Sequence, residues 1–342
     1  MDSTTQESPH LSAVPRVSVI LPTYNRAHYL AEAIESVVRQ TLTDLELIIV
    51  DDGSTDSTCE LVRAIRDERV RYVAQPHRGL SVALNRGLEK ARGDYIARLD
   101  SDDVFFPDAL ASLVAALERE PAVEVAWASG RLMDREGRDQ PRTRGSSEHY
   151  PGEMLRSLLY DDCTTSPAML TRKSCFARVG PYDEGLAFSE DWDMALRLAR
   201  EFRFRYVDQI VVRIREHDDS ITGRYSPSRT EFLSTRTAPL DKLFRDPQLP
   251  ADIAAMKPIA YANVHIFRGH MWLSTRNFAA ALREFAEAVV TSGRPLSTAA
   301  AIAWRVILLG VRSRAGKKDS RHSRLVGLRM KARVSPRNTK GK

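Results

Sequence analysis

Tyr95-Ile-Ala-Arg-Leu99 followed by Asp100-Ser-Asp-Asp103 is the stretch on which the reading turns: an apolar run of strand length that ends in an acidic turn. A helical pattern precedes it, with Leu80, Ala83, Leu84, Leu88 and Ala91 on one face and a stop at Gly93. Another follows Pro107, with Leu110, Leu113, Val114 and Leu117 inward. The alternation extends outward on both sides. Residues 17–21, 45–50 and 70–74 read as short buried strands, and 123–128 as a fifth. Residues 28–40 carry Leu30, Ala33, Ile34, Val37 and Val38 at helical spacing, and Ser57-Thr-Cys-Glu60 resembles a capping box before Leu61. Alternating strands and helices predict an α/β fold, a mostly parallel Rossmann-like sheet with helices on both faces. Such sheets bind ligands beyond the carboxyl ends of their strands, so the turns after each strand are the places to look for chemistry.

A length of 342 residues suggests about two domains, and 43% hydrophobic with 28% charged residues is the composition of an ordinary globular chain. Three widely spaced cysteines (Cys59, Cys163, Cys175) argue against a disulfide framework or a paired-cysteine metal site and fit a reducing, cytoplasmic setting. No basic start followed by an apolar run marks a secretory signal. The longest apolar tract, 299–311, is interrupted by Arg305 and falls short of the ~20 residues of a membrane span. From Arg305 to Lys342 there are 13 Lys or Arg and one acid. The net charge of +6 thus belongs to a tail, and the body is net acidic, which excludes a basic nucleic-acid-binding body.

Beyond the fifth strand, 134–145 reads as a polar loop, 151–159 as a short helix, and 168–170 as a short strand. A strong helix spans 190–201, and 204–207 and 210–214 look like two closing strands. After about residue 224 the pattern is helical only. Segments 260–273 and 278–290 pair through Asn277, and amphipathic 299–311 leads into the tail. The expected organisation is a disordered N-terminus (1–14), an α/β domain (15–224), a helical region (225–311) and a basic, disordered tail (312–342).

The acids gather at the strand ends: Asp51-Asp-Gly-Ser-Thr-Asp56 after the second strand and Asp100-Ser-Asp-Asp103 after the fourth. Singly, each can be a turn whose carboxylates bond nearby amides, and Asp102 or Asp103 could cap the next helix. Together they repel unless something positive sits among them. A hard divalent cation does this well, taking one or two carboxylates and completing its shell with water and phosphate oxygens.

Four segments in order, Pro22-Thr-Tyr-Asn-Arg26, Asp51-Asp-Gly-Ser-Thr-Asp56, Gly93 to Asp103 and Ser189-Glu-Asp-Trp-Asp-Met-Ala-Leu-Arg-Leu198, resemble the family-two glycosyltransferases of the GT-A fold. The resemblance covers residues 15–222 and excludes the helices beyond. It implies an inverting, metal-dependent transfer of a sugar from a nucleotide-diphosphate donor, a UDP-sugar by family frequency, to an acceptor hydroxyl on a glycan, a lipid-linked molecule or a small molecule. On that resemblance Pro22, Tyr24, Asn25 and Arg26 frame the base. Asp52, with Asp51 next, accepts a hydrogen bond from it, and Arg78 and Gly79 border the nucleotide. Asp100 lies near the ribose, Ser101 completes the donor-binding set, and Asp102 reaches Mg²⁺ or Mn²⁺ with help from His217. Asp103 orients the loop or caps the following helix. Glu190 and Asp191 form the catalytic pair, Asp191 as general base, and Arg224 is a possible phosphate contact.

Two other classes fit less well. A nucleotidyltransferase would carry a glycine-rich basic loop after the first strand, where Pro22-Thr-Tyr-Asn-Arg26 stands. A non-catalytic nucleotide-sugar-binding scaffold has no need of both Asp102 and Asp191. The tail, beside amphipathic 299–311, is expected either to stay solvated or to meet an anionic membrane surface.

Overall fold

The computed structural model describes residues 14–145, 154–160, 166–217, 220, 229–294, 296, 298, 299 and 302. The N-terminal arm before Val14, Cys163, Arg224, most of 299–311 and the basic tail lie outside these residues.

Nine strands and twelve helices are described, in the order β1 (Val17–Thr23), α1 (Ala27–Val38), β2 (Leu45–Asp51), α2 (Thr58–Arg63), β3 (Val70–Ala74), α3 (Leu80–Lys90), β4 (Tyr95–Arg98), β5 (Val104–Phe105), α4 (Ala109–Arg119), β6 (Val125–Met133) and β7 (Asp139–Arg144). Then come α5 (Met154–Tyr160), β8 (Met169–Arg172), α6 (Ser174–Val179), α7 (Glu190–Glu201) and β9 (Phe204–Arg215). The chain closes with α8 (Arg229–Thr235), α9 (Ala238–Leu243), α10 (Ala251–Ala254), α11 (Lys257–Ser274) and α12 (Phe278–Thr291). One sheet runs β3-β2-β1-β4-β8-β6-β9-β5, with β7 paired on β6. It is parallel from β3 to β4 and mixed beyond, because β8 enters antiparallel between β4 and β6.

Strand alternation explains the layers. Val17, Val19 and Leu21 of β1 and Leu45, Leu47 and Ile49 of β2 pack with α1 and α4, while Ile20, Ile48 and Val50 face α3. Both faces are covered, so these strands read as continuous apolar runs rather than alternating ones. The helical region does not hang free. Leu240, Leu243, Ile253, Met256, Ala260 and Val264 share a cluster with Trp127, Leu158, Leu159, Trp192, Ala195 and Leu196.

Four local expectations need correction. Residues 134–145 are not a loop throughout: 139–144 form β7, a strand exposed along most of its length and therefore free of the apolar pattern that marks a strand. The two closing strands are one, β9, whose register against β6 shifts between Trp127 and Gly130 and so breaks the periodicity. Ser57 makes no side-chain cap; Asp56 accepts from the Thr58 amide instead. Asp103 does not cap α4, whose N-cap position is Asp108; its carboxylate accepts the amide of Arg215.

The start of β4 is set by a buried acid. Glu46 on β2 accepts from Ser18 Oγ at 2.7 Å, the Arg92 amide at 2.7 Å, Arg92 Nε at 3.0 Å and an Arg71 guanidinium nitrogen at 2.7 Å. Ser18 Oγ in turn accepts from the Gly93 amide, and a Cβ on Gly93 would lie 2.7 Å from the Ser18 nitrogen. Glycine is therefore the residue that lets α3 end against β1. Burial raises the Glu46 pKa, but Ser18, Arg92 and Arg71 outweigh it and hold the carboxyl below its ordinary value. Its contribution to stability is present above the ordinary carboxylate value and is lost as pH falls through the lowered folded one. Glu46→Gln should destabilise the fold by about 2 kcal/mol at pH 7. Urea unfolding at pH 7 and at pH 3 should show that gap narrowing in acid.

Candidate active site

The parallel strands end at one edge. Thr23 pairs with Asp51, Asp51 with Ala74, and Ile20 with Arg98, so the turns after β1, β2, β3 and β4 stand side by side along the rim.

At one end of the rim the first three turns are laced together. The Asn25 carboxamide oxygen accepts the Thr55 amide at 2.7 Å, and its own amide, at φ 52°, donates to Ser54 Oγ. Asp51 accepts from the Ser54 amide at 2.8 Å and from the Tyr72 hydroxyl at 2.5 Å. Asp52 is 4% exposed and its carboxylate accepts from three donors: Gln75 Nε2 at 2.7 Å, the Arg78 amide at 2.9 Å and the Gly79 amide at 2.8 Å, while His77 Nδ1 lies 3.1 Å from the Asp52 carbonyl oxygen and 2.8 Å from the carboxylate. Asp52 thereby builds the 75–79 loop. Gly53, at φ 81°, passes so close that a Cβ would meet the His77 nitrogen at 2.7 Å. Tyr24, 42% exposed, lies flat on the His77 ring, centroids 4.0 Å apart, an aromatic pair at the rim that could stack a planar ring. Gly79, at φ 95°, starts α3. Pro22 is buried within β1, Arg78 is exposed, and Arg26 occupies the N-cap position of α1.

At the other end the carboxylates converge on a cation. Arg98, the last residue of β4 and 8% exposed, donates through Nε to Asp100 at 2.7 Å and through a terminal nitrogen to Glu190 at 2.9 Å. The acidic turn after β4 and the N-terminus of α7 are thereby drawn together, although 90 residues of chain separate Asp100 from Glu190. Asp191 is half-buried beside them, one oxygen accepting the Trp192 amide at 2.7 Å. Ser101 is buried in the same turn. Asp102 pairs with His217 Nε2 at 2.8 Å, and the buried Nδ1 of that ring has no hydrogen-bond partner among the described residues. Arg215 braces the turn from β9: its amide donates to Asp103 and its Nε to the Asp102 carbonyl, while its guanidinium lies 4.7 Å from the Tyr29 ring centroid. Among the described residues no three acids, histidines or cysteines form a metal cage. Asp102 and His217 are the pair that could share a divalent ion, leaving the rest of its shell to water and phosphate, as Mg²⁺ prefers.

Burial dominates the titration of this end. It works against the charge of Arg98, but Asp100 and Glu190 outweigh it and hold the guanidinium well above its ordinary pKa. Burial, with Asp102 adding and Arg98 opposing, pushes Asp100 up. Glu190 is pushed up to about 7 by burial and then by Asp191, against the pull of Arg98. Burial lifts the nearby Tyr182 to about 12.

The sequence profile of glycosyl transferase family 2 matches residues 18–178, which contain all four rim turns, the acidic turn after β4 among them. The glycosyltransferase EpsJ of Bacillus subtilis is 32% identical over 230 residues, covering 64% of this chain and 67% of that one. The chain belongs to glycosyl transferase family 2. Chondroitin synthase of Escherichia coli is 31% identical over 206 residues, 60% of this chain but 29% of that longer protein. Among solved structures, Staphylococcus aureus TarS 1–349 superposes with a TM-score of 0.59 at 20% identity over 81% of each chain. The mannosyltransferase PcManGT of Pyrobaculum calidifontis, in complex with GDP-Man and Mn²⁺, gives 0.56 at 22% identity over 87% of this chain and 83% of that one. Both likenesses establish the GT-A fold.

Within this family-2 chain the sequence reading did not single out Arg98, Arg215 or Tyr182. Arg98 carried a signal: a cation in an otherwise apolar four-residue strand needs buried acid partners. Glu190 also leaves a measurable trace. Its raised pKa means the folded state holds the proton more tightly than the unfolded chain, so its stabilising effect is full below about 4.5 and is lost as pH rises through about 7. The stability of the wild type relative to Glu190→Gln should therefore fall between pH 5 and pH 8, by up to about 3 kcal/mol. Paired urea titrations at the two pH values check this.

Proposed function

We propose that the protein is an inverting glycosyltransferase that moves a sugar from a nucleotide-diphosphate donor to an acceptor hydroxyl in glycan or glycolipid synthesis. Residues 15–224 form the transferase unit. The observation that carries this reading is Arg98 holding Asp100 and Glu190 at once, which sets Asp191 beside the acidic turn at the mouth of the parallel sheet. Tyr24, Asn25, Arg26, Asp51, Asp52, Arg78 and Gly79 border the base and ribose. TarS is known in complex with UDP-GlcNAc and PcManGT with GDP-Man and Mn²⁺, which supports a nucleotide-sugar donor here; the preference for UDP rests on the family resemblance alone.

Asp102 and His217 would hold Mg²⁺ or Mn²⁺. The chemistry of this donor set supports it: a carboxylate and an imidazole already converge at 2.8 Å, with the other ring nitrogen buried and without a hydrogen-bond partner among the described residues. Such an ion supplies positive charge to the departing diphosphate. The rest is the work of the protein. Asp191 takes the proton from the acceptor hydroxyl as that oxygen attacks the anomeric carbon. The bond from that carbon to the β-phosphate oxygen breaks with its electron pair on the phosphate, and a single displacement inverts the centre. Glu190 holds Arg98 rather than the substrate. The pair keeps the base in place and the mouth of the sheet closed to rearrangement.

Asp191→Asn should lower turnover about 100-fold or more while nucleotide binding survives. Asp102→Ala should abolish the part of nucleotide binding that chelator removes from the wild type. A thermal-shift panel of UDP-GlcNAc, UDP-glucose, UDP-galactose and GDP-mannose, with and without Mn²⁺, reads the donor, since a ligand bound to the native state raises its stability. Full turnover in Asp191→Asn, or equal binding in chelator, defeats the assignments.

The basic tail adds an anionic membrane surface as a partner. Each Lys or Arg near such a surface contributes about 1 kcal/mol. No helix among the described residues is long and apolar enough to cross a bilayer. Removing residues 312–342 should release the protein from phosphatidylserine vesicles in a flotation assay, and a full-length protein that ignores such vesicles overturns the idea.

A further inference from the structure

The helical region reaches the start of α7 with a buried arginine. Arg236 lies in the turn between α8 and α9 and is 7% exposed. Its guanidinium carbon sits 4.6 Å from the Trp192 ring centroid, 5.1 Å from that of Phe267 and 5.6 Å from that of Phe232. One of its nitrogens donates to Ser189 Oγ at 3.0 Å. Ser189 immediately precedes Glu190 and Asp191. It is buried, holds φ 63° and starts α7 without a side-chain cap; its hydroxyl accepts from Arg236 instead. A left-handed conformation is unfavourable for a residue with a Cβ and persists where the surroundings over-determine it. The Ser189 carbonyl also accepts the Asp193 amide at 3.0 Å, the bond that begins the helix.

A buried cation at a helix N-terminus works against the helix dipole. Here the aromatic faces and the serine hydroxyl hold it there. A second cation of the same region reinforces the junction: Lys242 Nζ lies 2.6 Å from Asp183, in the segment leading to Ser189, and 2.6 Å from Asp193, in the first turn of α7. The segment and helix start that carry Asp191 are therefore fastened from outside the α/β unit.

We propose that Arg236 is a positioning residue: through Ser189 it fixes the left-handed turn that aims Asp191, which makes the helical region a working part of the active site. This rests on Asp191 as the base. Arg236 touches neither donor nor acceptor; it sets the direction in which α7 leaves the rim. A lysine keeps a charge and a donor among the same rings, a methionine keeps bulk alone, and Ser189→Ala removes the acceptor without touching the aromatic cage.

The test uses the full chain and two readouts. Turnover is followed as nucleoside diphosphate released to water from whichever of UDP-GlcNAc or GDP-mannose binds, in Mn²⁺. Amide hydrogen exchange is followed across residues 183–194. Arg236→Met should lower kcat at least tenfold with the donor KM within twofold, and should speed exchange across 183–194 but not in β1 or β4. Arg236→Lys should recover most of kcat, and Ser189→Ala should lower it severalfold with the same KM.

An Arg236→Met or Ser189→Ala variant with wild-type kcat overturns the proposal, as does unchanged exchange across 183–194. Equal losses in kcat and in nucleotide binding also overturn it, since they mark a general structural role. Where Arg236→Met does not fold, Ser189→Ala decides. Asp191→Asn is measured alongside. If it turns over normally, the base assignment falls, while the exchange result still judges whether Arg236 orders the turn.

Discussion

The bidentate reach of Arg98 is the interaction on which the site depends. A guanidinium presents donors in a fixed fork, and here two arms of that fork take carboxylates from segments far apart in sequence. Without a cation at this place, half-buried Asp100 and buried Glu190 would stand unpaired, and each would keep its proton or move away. With it, the turn after β4 and the start of α7 have one relative placement. Breaking such a buried arrangement from one side costs several kcal/mol, because the remaining charge is stranded.

The rim shows two different uses of carboxylates. Asp51 and Asp52 hold the protein's own turns, the Ser54 turn and the 75–79 loop. Asp100 and Glu190 instead meet a cation and Asp102 a histidine, and burial raises two of them. Sequence position alone, Asp-Asp after one strand and Asp-x-Asp after another, does not separate these uses. The difference arises from what the neighbouring segments present: backbone amides at Arg78 and Gly79 in one case, the side chains of Arg98 on β4 and of His217 just after β9 in the other.

Much of the fold was legible because local physics and global packing agree in the first half of the chain. Apolar runs of strand length at β1, β2 and β4 and the helical faces of α1, α3 and α4 each point to the same layers. Legibility failed where an element has one partner or an irregular register. β7 is an exposed strand on the end of β6, so its sequence, Asp-Gln-Pro-Arg-Thr-Arg, carries no apolar alternation. β9 shifts register partway along and reads as two pieces. The acids of the site were visible as motifs, but Arg98, which pairs two of them, and Arg215 and Arg236, which brace their turns, were not, since contact across such separations is written only in three dimensions.

The apolar cluster that joins Trp192, Ala195 and Leu196 to Leu240, Leu243, Ile253 and Val264 makes α7 the shared wall of two regions. Modularity in this protein therefore does not follow the end of the α/β pattern. A chimera that exchanged everything after residue 224 for the helices of a relative would inherit a foreign surface against the outer face of α7, and would need that face recut to match. Diversification by grafting new C-terminal segments is thus constrained at the one helix that also carries the acids, so that changes in the appendage and changes in catalytic geometry are expected to arise together.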